Sequence, residues 1–75
     1  MKKIINFKIY KGEKYYIAEC MDLPIVTQGL TLDETMANLK EALMLHLDNE
    51  DLKELNIMPN PAVSVSFDLG ELIYA

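Results

Sequence analysis

Few residues in this chain have both the type and the company that chemistry needs. His46 is the only histidine and Cys20 the only cysteine. A catalytic histidine requires an orienting partner, and a metal centre requires several ligands at recognisable spacing. Neither surrounds His46, which stands near the C-terminal end of an amphipathic run, where the helix dipole favours it. A single cysteine makes no internal disulfide, and Cys20 lies in a strand-like run where a free thiol acts as a small hydrophobe. Glu19, Asp22 and Asp68 would suit Mg²⁺ if the fold gathered them, although carboxylates at strand ends and loops are more often plain surface groups. The chain has no phosphate-cradling glycine pattern, no G-x-S-x-G and no C-x-x-C. No catalytic residue, cofactor or metal is expected, and the chain reads as a non-enzyme.

The tyrosines offer binding rather than catalysis. Tyr10, Tyr15 and Tyr16 lie in or beside the first two strand-like runs, and Tyr74 near the end. Some must cover a small core. Any left outside would be interface anchors, because aromatic side chains are enriched at binding hot spots. Lys8, Lys11 and Lys14 among these rings would suit base stacking, but the net charge of -5 and pI of about 4.6 remove the basic footprint of a nucleic-acid binder. An acidic surface attracts basic partners instead. No apolar run approaches the roughly 18 residues of a membrane span. Lysines and Asn6 interrupt the N-terminal segment, which lacks a signal-peptide cleavage site. The expected location is the cytoplasm.

Seventy-five residues make one small domain over 1–75, with 51% apolar residues. A chain of this size buries only roughly 60% of its unfolded surface, and association with further copies, as a dimer or tetramer, would hide more.

The elements that would position these side chains follow from periodicity. In 4–11, Ile5, Phe7 and Ile9 alternate with Asn6, Lys8 and Tyr10, which predicts a strand with one buried face. Gly12-Glu13 suits a two-residue turn, and 14–20 forms a second strand antiparallel to the first. Pro24 breaks the run. Ile25-Val26-Thr27 makes a short third strand that Gln28-Gly29 ends. Thr31 and Glu34 fit a capping box, and Leu32, Met36, Leu39, Leu43 and Leu47 place one apolar stripe on a helix over 32–48. Residues 49–57 have room for one more helical turn. The segment 58–61, with Pro59 and Pro61, turns the chain back into a fourth strand at 62–68, where Val63, Val65 and Phe67 alternate with Ser64 and Ser66. The tail 69–75 has no clear pattern. The expected fold is α+β: a two-layer β-β-β-α-β unit, an antiparallel sheet covered on one face by a single long helix.

The order of these signals resembles the HicB-type antitoxin domain. Tyr16-Ile17-Ala18-Glu19 leads into Asp22-Leu23-Pro24, then Thr27-Gln28-Gly29, Thr31-Leu32-Asp33-Glu34 and Ala37-Asn38-Leu39-Lys40-Glu41-Ala42. The likeness spans nearly the whole chain. Met21 replaces a frequent proline, Ile25-Val26 replace a Gly-Cys pair, and Thr35 replaces an alanine. The resemblance implies a partial ribonuclease H-like fold without nuclease carboxylates, and a small basic HicA-like mRNA-cleaving toxin as partner. Many such proteins continue into a DNA-binding domain. The chain stops at Ala75, so operator binding and direct nucleic-acid contact are not expected of it. The expected function is an antitoxin-like module that neutralises the toxin by binding. The residues expected to touch it, chosen for exposure, are Tyr10, Tyr15, Asp22, Glu34, Glu41 and Leu45. The alternative is a stand-alone homo-oligomeric domain with another partner.

Overall fold

The computed structural model describes residues 2–48, 52–68 and 70. Alternation in the first segment becomes strand β1 (Lys2–Lys11), with Ile5, Phe7 and Ile9 fully buried and Asn6 and Lys8 exposed on the reverse face. Strand β2 (Tyr16–Cys20) pairs antiparallel with it, Ile9 opposite Ala18 and Phe7 opposite Cys20. The connection is longer than the two-residue turn expected. Residues 12–15 form it, closed by a hydrogen bond from the Gly12 amide to the Tyr15 carbonyl (2.7 Å). Lys14 and Tyr15 therefore belong to the loop and not to the strand.

Strand β3 (Val26–Gly29) starts one residue later than the β-branched run suggests. Ile25 is buried just outside it, its carbonyl accepting from the Cys20 amide (2.9 Å). The Leu23 amide donates to Cys20 Sγ (3.3 Å), so the half-buried thiol helps to fold the 21–25 loop.

Helix α1 covers Leu32–Asp48. Thr31 caps it: its Oγ1 accepts from the Glu34 amide (3.1 Å). Glu34 reaches back one residue further than a capping box requires, its carboxylate accepting from the Leu30 amide (3.3 Å). The apolar stripe is narrower than its leucines suggest. Leu39 and Leu43 are buried and Met36 and Leu47 pack at the edge, but Leu32 remains 38% exposed. Thr35 takes its place, fully buried, with its hydroxyl donating to the Thr31 carbonyl (2.8 Å). A threonine fits there because that bond satisfies its only polar atom.

Strand β4 (Ile57–Asp68) is longer than expected and runs parallel to β1, so the sheet is mixed, not wholly antiparallel. Its order is β3-β2-β1-β4. Two antiparallel steps leave β3 parallel to β1, and the helix then carries the chain over β2 and β1 to a strand in the same direction, as a crossover connection must. The register shifts between the Lys2–Ile57 and Ile4–Ala62 pairs, where Pro59, Asn60 and Pro61 bulge and Asn60 takes a positive φ of 53°. Residues 52–56 form turns rather than helix, and the expected tail, apart from Gly70, lies outside the described residues. The α+β β-β-β-α-β architecture is as the sequence predicts. The core is Ile5, Phe7, Ile9, Ala18, Ile25, Leu39, Leu43 and Ile57.

Candidate partner-binding surface

Helix α1 packs most closely on β3, with β2 next. With Thr35, Leu39 and Leu43 facing the sheet, the spacing 34, 38, 41, 45 puts Glu34, Asn38, Glu41 and Leu45 on one flank of the helix. Asn38 fixes which flank this is: its Nδ2 donates to the Gln28 carbonyl of β3 (2.8 Å). β3 is an outer strand. The bond therefore ties the helix flank to the sheet edge and occupies a carbonyl that would otherwise invite another strand. Glu34 and Glu41 are exposed, and Leu45 is 57% exposed. Leu30, also exposed, precedes them at the start of the helix, its backbone amide donating a hydrogen bond to the Glu34 carboxylate. The result is one continuous strip of two acids, one amide and two leucines.

The reverse face of the sheet is a second, separate surface. Register places Lys8 opposite Glu19, and Tyr10 opposite Ile17 and Asp68. The Tyr10 hydroxyl donates to Glu19 Oε1 (2.7 Å), and Lys8 Nζ lies 3.8 Å from Asp68 Oδ2. Met21 and Val26 are exposed apolar groups beside this polar cluster, Val26 paired with Glu19 across the strands. Asp22, half-buried, accepts from the Asn6 amide through Oδ2 (2.8 Å), which pins the loop after β2 to β1.

The hydrogen bond to Glu19 holds the Tyr10 phenol above its ordinary value of 10.0, and partial burial and the Glu19 charge push the same way. A raised phenol pKa means that the stability tied to the neutral ring is fully present below pH 10 and is lost as pH rises through the higher folded value. An absorbance titration of the phenolates should show Tyr10 ionising above pH 10. Glu19→Gln should move it back toward that value. An unchanged curve in the variant would mean that the bond is not made in solution.

The six residues chosen from the sequence thus divide. Glu34, Glu41 and Leu45 share the helix strip. Tyr10 lies on the opposite face of the sheet, engaged with Glu19. Tyr15 is half-buried in the β1–β2 loop, with Lys14 Nζ 5.5 Å from its ring centre, and Asp22 braces a loop. Glu19, Asp22 and Asp68 do not gather, and no cluster of three or more His, Cys, Asp or Glu suited to a metal occurs among the described residues. No helix among them is long and apolar enough to cross a membrane.

Leu30 and Asn38 were missed by the sequence reading. A signal for Leu30 existed: an apolar residue just before a helix cap normally packs on the fourth helical residue, and here that residue is Thr35, which leaves the leucine without an apolar mate. Asn38 stands in the run 37–42 that carries the resemblance, but nothing in the sequence marks it as the residue that bonds the helix to β3. No family model, curated protein or solved structure matches this chain.

Proposed function

We propose that this chain is an antitoxin-like binding module that neutralises a small basic, HicA-like mRNA-cleaving toxin by covering it, with no catalysis of its own. The observation that carries the reading is the strip on the β3 side of the helix, where exposed Glu34 and Glu41 stand between Leu30 at one end and Leu45 at the other, on a scaffold fixed by the Asn38–Gln28 bond. Such a strip has the parts of an interface: an exposed leucine at each end for burial and, between them, acids that steer and orient a basic partner. The order of residues from Tyr16 to Ala42 supports the choice of partner, and the net charge of -5 agrees with it.

The test is co-expression with a small basic HicA-like toxin. The pair should co-purify, and growth arrested by the toxin should resume. Charge reversal at both Glu34 and Glu41 to lysine should weaken the complex by at least roughly 100-fold, since two like-charge contacts replace two favourable ones. Raising the salt concentration should weaken the wild-type complex and affect the variant less. A chain that neither rescues growth nor retains the basic protein does not have this function.

A further inference from the structure

The outer edge of β4 has a character unlike the rest of the molecule. The net charge is -5, yet Ile57–Phe67 carries no charged residue, and Asp68 alone ends the strand. Among the described residues, β4 pairs only with β1, so its other edge is unpaired. Pro59 and Pro61 blunt the first part of that edge, as prolines do on edge strands. The seven residues from Ala62 to Asp68 have neither proline nor bulge. They present a straight edge of roughly 23 Å at 3.3 Å per residue.

The side chains of this segment are also half covered. Register with Ile5, Phe7 and Ile9 places Val63, Val65 and Phe67 on the core face. The helix lies over β3 and β2 and leaves β4 outside it, so Val63 and Phe67 remain 41% and 40% exposed. Next to them a mostly apolar groove runs between the helix and the strand, lined by Leu43, Met44, Leu47, Leu52, Pro61 and Val63 together with Lys40, Asp48 and Asn60. A long edge of this kind, apolar on one side and uncharged, is a template for another strand.

We infer that a second copy of this chain occupies it, β4 pairing antiparallel with β4 of its partner about a two-fold axis perpendicular to the sheet. Three features select that occupant. The alternation Val63-Ser64-Val65-Ser66-Phe67 complements itself, because a two-fold centred on Ser64 or Val65 sets apolar residues opposite apolar ones and serines opposite serines. The uncharged segment is where two chains of charge -5 can meet with least repulsion, and Lys8 offsets Asp68 on each copy. A basic partner is drawn instead to the acidic helix strip on the far side of the sheet order, so both surfaces can be occupied together. Pairing doubles the sheet to β3-β2-β1-β4-β4-β1-β2-β3, with both helices on one side, and lets Val63, Val65 and Phe67 of the two copies close over each other. This inference does not rest on the identity of the toxin.

Sedimentation equilibrium of the full chain decides it. The wild type should show twice the 8.6 kDa chain mass. Ser64→Lys, on an exposed position that leaves the core untouched, should weaken association by roughly tenfold or more by setting like charges across the axis. Val65→Lys, which buries a charge at the new seam, should do so more severely. Far-UV circular dichroism confirms that Ser64→Lys is folded, and Glu41→Lys on the helix strip should leave the dimer intact. A wild-type chain that stays at 8.6 kDa up to about 1 mM, the weak end of the affinity scale, overturns the inference. A dimer that keeps its affinity in Ser64→Lys overturns it as well.

Discussion

Alanine at Gly29 should cost about 3 kcal/mol of folding stability, the upper range for forcing extra volume into a packed site. A methyl group there would stand 2.6 Å from both the Thr35 amide nitrogen and its Oγ1, and 3.0 Å from its Cα. Two of those three atoms are backbone in the first turn of α1, so no rotamer change relieves the contact. Helix and strand must separate, and with them the whole seam that Thr35, Leu39 and Leu43 make with the sheet. A core of this size supplies only about 3–5 kcal/mol in total, so much of the variant population should be unfolded. Urea titration measures the loss as a fall in midpoint. The double variant Gly29→Ala, Thr35→Ala should recover little, because removing the hydroxyl leaves the amide nitrogen in place. A wild-type midpoint in Gly29→Ala would show that helix and strand do not approach this closely.

That glycine also shows where reading the sequence ends. Its position after a β-branched run marks the close of a strand, and the sequence suggests that it frees the chain to turn. In the fold it is indeed the last residue of β3, paired with Tyr16, but what matters there is the missing side chain. The buried face of β1, the extent of the helix and the element order were legible because each rests on local periodicity: Ile5-Phe7-Ile9 at spacing two, Leu39 and Leu43 at spacing four, Thr31 as cap. The parallel placement of β4 was not, since local alternation is the same in either direction and only the crossover decides it. Thr35 was hidden because a hydroxyl in the core is affordable only when a backbone carbonyl, here that of Thr31, accepts from it. The candidate surface was half legible for a related reason. Helical spacing groups Glu34, Glu41 and Leu45, but it does not reveal that Tyr10 and Asp22, equally polar in pattern, are committed to Glu19 and Asn6 on the other side of the sheet.

Two leucines on the same helix should separate stability from binding. Leu39 is 1% exposed and Leu45 57%. Leu39→Ala removes a side chain that touches the sheet core and leaves a cavity, a loss of about 3 kcal/mol that would unfold a large share of so small a domain. Leu45→Ala removes a side chain already largely in water, so its effect on the urea midpoint should stay within about 0.5 kcal/mol. Partner binding should respond in the opposite sense. On the proposed helix strip, Leu45 is the apolar residue nearest Glu41, and truncating an apolar anchor that a partner buries costs about 2 kcal/mol or more, near thirtyfold in Kd. Leu39→Ala, measured at a temperature or with a stabilising co-solute where it is folded, should bind the basic partner with nearly wild-type affinity, because the strip it supports is unchanged in composition. Isothermal titration of the two variants beside their urea curves reads both quantities. If Leu45→Ala binds as well as the wild type, the strip is not the contact surface, and the partner must be sought on the Tyr10–Glu19 face of the sheet.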